Sequence, residues 1–203
     1  MFGFFASLRQ QPKMSDIKLV AGLGNPGKEY EQTRHNVGFR VVDLLSEKLG
    51  IAVTKKKFGG LVGEGFFESK KLILLKPQQY MNLSGQVLAT AAGFYKLGLD
   101  DILVVSDDMA LDVGRIRVRG KGSSGGQKGL GDIIAKLGSD EFARLRIGIG
   151  DSGRIPAVDY VLGRFNGEQQ PEVDKAILTA YEAVVCWLCS GTEAAMNKFN
   201  AAE

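Results

Sequence analysis

His35 is the only histidine among 203 residues, and an imidazole that titrates near neutrality is well suited to take a proton from water. It ends the run NPGKEYEQTRH, which also holds Asn25, Tyr30, Thr33 and Arg34 and is followed by Asn36. These polar or turn-forming residues lie between an apolar segment that stops at glycines and the start of an amphipathic stretch. A lone histidine is ordinarily structural or solvent-exposed. Here the surroundings read as a loop at the mouth of a sheet leading into a helix, where ligands bind and where the helix N-terminus disfavours the imidazolium. If this chain uses a histidine as a general base, His35 is that residue.

The string GLGNPG, Gly22 to Gly27, also meets the glycine pattern of a dinucleotide-binding turn. Its context opposes that reading. The helix of such a turn must open on the glycines so that its amides meet the pyrophosphate, whereas Pro26 and the polar run up to Arg34 delay it. The next candidate strand, Ile51 to Val53, ends in Lys55, Lys56 and Lys57 with no acid to hold a ribose. The glycines are expected to make a tight turn.

The elements that must position these residues follow from periodicity. IKLVAGLG reads as a buried strand feeding a loop. Val37, Val41, Leu45 and Leu49, with Val42 and Leu44 alongside, give a helix that buries one stripe. Gly60 to Phe67 and Lys71 to Leu75 are two strands joined by Glu68-Ser69-Lys70, an antiparallel hairpin. After Lys76-Pro77 the loop QQYMNLSG precedes a helix over 84–97. Tyr80 and Met81 in that loop read equally as packing residues or as part of a site, and Asn82 as a helix cap. Ile102 to Val105 is a β-branched strand running into Ser106, Asp107 and Asp108, which residue type alone assigns to a solvated turn before a metal site.

Arg115, Arg117 and Arg119 alternate and so share one face of a strand, either a solvated edge or, with Lys121, Lys128 and Arg146, a surface for phosphates. Gly122 to Leu130 is a glycine-rich loop without the Lys-Ser/Thr ending of a nucleotide-triphosphate loop. It leads into an amphipathic helix over 132–137, a strand over 145–150, a long helix over 168–188 and a short one over 192–199. The alternation predicts an α/β fold: a mixed, mostly parallel sheet with helices on both faces.

With 44% hydrophobic and 24% charged residues, one domain over 16–203 is expected. Residues 1–15 are expected to form a disordered extension, because the apolar FGFFA is too short and too poorly flanked for a signal peptide; Met14 is a possible alternative start. No run approaches the ~18 apolar residues that a bilayer span needs, so the chain should be soluble. Cys186 and Cys189, in CWLC, are expected as buried reduced thiols in a reducing cytoplasm rather than as a redox pair. The net charge of +3 permits a polyanionic partner without demanding one.

GLGNPG, KEYEQTRHNVGF, KPQQYMNLSG, VVSDD, GSSGGQKGL and RLRIGIG follow one another along the chain. In that order they resemble the motifs of bacterial-type peptidyl-tRNA hydrolase, from about Ile17 to the C-terminus. The resemblance implies the peptidyl-tRNA hydrolase/phosphorylase-like fold and hydrolysis of the ester between a peptide and the 3′-terminal ribose of tRNA. It implies His35 as the base, Asp107 as the acid that orients it, and Asn25 at the last peptide residue, where a blocked amine is told from a free one. Asn82 would bond the peptide or the water, and Tyr30 and Tyr80 would line the channel. Arg119 and Arg146 would grip the acceptor stem.

No metal and no cofactor are implied, since an ester needs only water, a base and carbonyl polarisation. A cytoplasmic monomer is expected, acting on the acceptor stem and 3′ end of peptidyl-tRNA, with no membrane and no obligate protein partner. One position departs from the family pattern: Gln127-Lys128 replaces the common His-Asn. Lysine donates but does not accept, so Lys128 would polarise a carbonyl or meet a phosphate, and would lower the pKa of His35 if close to it. The alternative reading is a non-catalytic RNA-binding scaffold of the same fold, which predicts loss of His35, Asp107 or Asn25. A nucleotide-dependent oxidoreductase ranks third.

Overall fold

The computed structural model describes residues 17–200, so the expectation for residues 1–15 lies outside the described residues. The strands are β1 (Ile17–Gly22), β2 (Lys55–Lys57), β3 (Gly60–Phe67), β4 (Lys70–Pro77), β5 (Ile102–Asp108), β6 (Ile116–Arg119) and β7 (Ala143–Gly148). They form one sheet in the order β2-β3-β4-β1-β5-β7-β6. Strand β1 is central, parallel to β4 and β5, and almost wholly buried, as a strand covered on both faces must be. Strands β5 and β7 are parallel, while β3 and β6 run against their neighbours at the two ends. This is the mixed α/β sheet that the alternation predicts.

Side chains of period two divide the core between the faces. Val20, Leu72, Leu74, Leu103, Val105, Leu145 and Ile147 point to one side, where α1 (Val37–Leu49) and α5 (Gln169–Phe199) cover them with Val41, Leu45, Val184 and Trp187. Leu19, Ala21, Ile73, Leu75, Ile102 and Val104 point to the other, against α2 (Ser84–Tyr95) and α3 (Lys128–Leu137). A short helix, α4 (Ala157–Leu162), lies between β7 and α5 in the chain.

Several boundaries differ from the sequence reading. The strand expected at Ile51 to Val53 instead forms four residues later, as the lysines of β2 pair with β3. Ile51 and Val53 are buried there as plugs under the Gly63 and Gly65 positions. Lys57 and Lys71 meet Glu64 at 2.9 Å, and together they hold its carboxyl down at about 2, which leaves the lysine-rich edge less charged than it reads. Strand β7 begins at Ala143 rather than Leu145, with Arg144 fully buried inside it.

The expected helices over 168–188 and 192–199 run on as α5 with a break at Gly191, whose φ of 83° suits glycine. Trp187 Nε1 donates to Thr192 Oγ1 across that break at 3.2 Å. Beyond α5, the Asn200 side chain accepts from Val118 N–H and donates to Val118 C=O, both at 2.8 Å, and so occupies part of the open edge of β6. Both cysteines are free, but only Cys186 is partly buried; Val184, Trp187 and Leu188 take the inner stripe and leave Cys189 exposed. No helix among the described residues is long and apolar enough to cross a membrane.

Candidate active site

His35 sits in a single tight turn, Arg34–Asn36, that leads directly into α1 at the carboxyl ends of β1 and β5. Two missing side chains let α1 come this close. A Cβ on Gly22 would lie 2.1 Å from Gly38 O, and one on Gly38 would lie 2.5 Å from both Leu23 N and Val105 O. Gly24 packs likewise under the Phe39 ring. The expected tight turn at the glycines is therefore corrected: Gly22, Gly24 and Gly38 serve helix-on-sheet approach, and only Gly27 of the motif takes a positive φ.

That approach sets His35 Nδ1 2.8 Å from Asp107 Oδ2, with both residues buried. Asp107 lies inside β5, opposite Ile147 of β7, so it belongs neither to a solvated turn nor to a metal cluster. Among the described residues no group of three or more His, Cys, Asp or Glu is placed to hold a metal ion. With its Nδ1–H donated to the carboxylate, the imidazole keeps its Nε2 lone pair, which has no protein partner among the described residues.

A chain of buried hydrogen bonds supports this pair. Asn36 clamps the backbone of Asn25, accepting its N–H at 2.9 Å and donating to its carbonyl at 3.0 Å. Asn25 Oδ1 accepts the Met81 N–H at 2.8 Å, and its Nδ2 group, at the cleft wall, has no protein partner among the described residues. Gln127 Nε2 donates to Asp107 Oδ1 and to Met81 Sδ, each at 3.1 Å, while its Oε1 caps α3 by accepting Leu130 N–H at 2.7 Å. Helix α3 consequently starts at Lys128, four residues before the sequence reading placed it. Gly129 belongs to this helix because a Cβ there would come 2.6 Å from Met81 Sδ.

These groups face a cleft of about 360 Å³. It gathers His35, Asp107, Asn25, Tyr30, Tyr80, Asn82, Lys128 and Arg146 on one wall or another, and does not reach Arg119. Tyr80 is exposed and Met81 buried, so the two readings of that loop divide between them. Asn82 makes no capping bond, because the loop closes by a single tight turn ahead of α2.

Arg146 is partly tied up: it donates to Asp108 Oδ2 at 3.2 Å and to Ser123 O at 2.9 Å. Beside it, Arg144 donates to Gly122 O, Ser123 O and Asp140 O, and its burial and the Arg146 charge hold its guanidinium below the ordinary value against the pull of Asp140. The two arginines are thus struts of the glycine loop. Arg119 pairs opposite Arg144 and Arg117 opposite Arg146, so all four project to one face of the sheet edge.

Asn36 and Gln127 join the site although residue type assigns them no role in it, Met81 takes the packing half of its two readings, and α4, unexpected from the sequence, lines the cleft with Ala157, Val158, Val161 and Leu162. Helical apolar spacing after Pro156 was the available signal for α4. Arg34 secures it, donating to Tyr160 O at 3.3 Å and lying 4.2 Å from the centre of the Tyr160 ring.

A family model described as peptidyl-tRNA hydrolase matches residues 19–203. The chain belongs to the peptidyl-tRNA hydrolase family. A peptidyl-tRNA hydrolase of Caldanaerobacter subterraneus subsp. tengcongensis is 54% identical over 182 residues, covering 90% of this chain and 98% of the relative. One from Clostridium perfringens is 50% identical over 182 residues, covering 90% and 96%. The crystal structure of peptidyl-tRNA hydrolase from Acinetobacter baumannii superposes with a TM-score of 0.87 at 39% identity, covering 95% of this chain and 99% of that one. The likeness to this family therefore spans the sheet, both helical layers and the cleft.

Proposed function

We propose that residues 16–203 act as one domain that hydrolyses the ester between a peptide, or an N-blocked amino acid, and the 3′-terminal ribose of tRNA. The observation that carries this reading, beside family membership, is the 2.8 Å bond between His35 and Asp107 at the cleft. His35 Nε2 takes a proton from water as the oxygen attacks the ester carbonyl. Asp107 holds the tautomer and stabilises the imidazolium that forms. When the carbon–oxygen bond to the ribose breaks, the imidazolium returns the proton to the departing ribose oxygen.

In the same reading Asn25 Nδ2 meets the peptide near its last residue, and Asn82 bonds the peptide or the water. Tyr30 and Tyr80 line the path of the peptide or the terminal adenosine. Lys128, exposed at the first position of α3, polarises a carbonyl or meets a phosphate. Arg119 and Arg146 contribute to holding the acceptor stem, with Arg146 also bracing the glycine loop. The chain works as a cytoplasmic monomer with no obligate protein partner, which suits a small soluble-type fold acting on one tRNA at a time.

The test is release of N-acetyl-amino acid from N-acetyl-aminoacyl-tRNA by the wild type and His35→Ala, with unblocked aminoacyl-tRNA as control. Hydrolysis of the blocked substrate alone, lost in the variant, is the expected result. A wild type that binds tRNA and releases nothing overturns the reading.

A further inference from the structure

Gln127 joins the start of α3 to the acid of the His35–Asp107 pair. Because its Oε1 accepts the Leu130 N–H at 2.7 Å, the carboxamide has only one workable orientation; turned over, it would set its NH2 group against that N–H. Both Nε2 hydrogens then point inward, one to Asp107 Oδ1 and the other to Met81 Sδ. Asp107 is 3% exposed and Gln127 9% exposed, so water is a poor substitute for either bond. The two carboxylate oxygens are thereby divided, Oδ1 to Gln127 and Oδ2 to His35.

We propose that Gln127 is a positioning residue for the hydrolysis: by engaging Oδ1 it keeps Oδ2 of Asp107 turned to His35 and so preserves the tautomer with a free Nε2. This rests on the reading of His35 as the base. The arrangement also ties the acid to substrate contact, since Lys128 and the Gly125–Gly126 turn on either side of Gln127 line the cleft. The charged groups that share the cleft wall with the pair are Lys128 on α3, Asp108 on β5 and Arg146 on β7, the last two bonded to each other. Tyr30 and Tyr80 are its remaining titratable side chains, and Arg34, next to His35, is engaged with Tyr160 and Gln169.

Gln127→Glu separates this role from helix capping. It keeps an acceptor for Leu130 N–H and nearly the same shape, but loses the donor and sets a carboxylate beside Asp107. Hydrolysis of N-acetyl-aminoacyl-tRNA would be followed from acid to alkaline pH alongside thermal unfolding. The expected result is cooperative melting at a lowered temperature, since two carboxylates then share a buried site, with kcat lowered about ten- to hundredfold, the range commanded by a hydrogen bond to a charged group, and KM little changed.

The acid limb of kcat should move to higher pH, because added negative charge favours the imidazolium. Gln127→His, whose ring N–H can still reach the acid, should regain most of kcat and the wild-type limb. Gln127→Leu, which removes donor and acceptor without adding charge, carries the same test should the glutamate variant not fold. Either Gln127→Glu or Gln127→Leu with wild-type kcat and pH profile overturns the proposal. His35→Ala in the same assay keeps the two readings apart: if it is inactive the base stands whatever the Gln127 variants do, and if it is active both readings fall.

Discussion

At the scale of the residue, the chemistry turns on which imidazole nitrogen carries the proton. Asp107 accepts from Nδ1, and nothing in the protein competes for Nε2 among the described residues. Asp107→Asn keeps the shape and most of the burial but offers an NH2 group where an acceptor is required. The amide then favours the tautomer protonated on Nε2, and the imidazolium loses its counter-charge. The expected outcome is a fall in kcat of about 10²- to 10⁴-fold with KM little altered, read from steady-state hydrolysis of a blocked aminoacyl-tRNA. A kcat within about threefold of wild type would remove Asp107 from the mechanism.

The geometry of that pair is set one scale up, by how closely α1 lies on the ends of β1 and β5. Gly38→Ala asks for a Cβ where backbone atoms of Leu23 and Val105 stand 2.5 Å away, and neither can yield without moving a central strand. The helix must shift outward, which should cost about 1–3 kcal/mol of stability in denaturant unfolding and lower kcat by more than the lost stability accounts for, since His35 moves with α1. Unchanged activity in a folded Gly38→Ala would show that the close approach does not place the base.

Elements with strong periodicity, such as β1, α1 and the β3–β4 hairpin, were legible in the sequence because one apolar pattern decided each. The errors came where tertiary partners outvoted local preference. Three consecutive lysines make a poor strand until β3 offers a ladder, and Gly129 reads as loop until Met81 requires a residue without a side chain at that point of α3. In the site, His35 stood out by its type and Asp107 and Asn25 by motif order. Asn36 did not, Met81 read equally as packing, and Gln127 showed only as a departure from the motif, because their contribution is a set of bonds between segments far apart in the chain.

Over the whole molecule, a net charge of only +3 is compatible with tRNA as substrate because the charge is unevenly placed. At one end of the sheet Glu64 pairs with both Lys57 and Lys71 and cancels one of their two charges. At the other end Arg117, Arg119 and Lys121 are exposed and form no ion pair among the described residues. Phosphate binding releases condensed counterions, so affinity falls as salt rises and each lost contact flattens the dependence by about one unit of log K per log salt. Arg119→Ala should therefore weaken tRNA binding, reduce that slope by roughly 1 and leave kcat at saturating substrate near wild type. Arg146→Ala should behave differently, lowering kcat as well, because Arg146 also carries the bonds that hold Ser123 and Asp108 at the cleft. Binding titrations across a salt series, paired with turnover, distinguish the two. Equal effects on slope and kcat for both variants would mean that the arginine edge and the cleft wall are a single site, and the division between a phosphate-gripping edge and a loop-bracing strut would have to be abandoned.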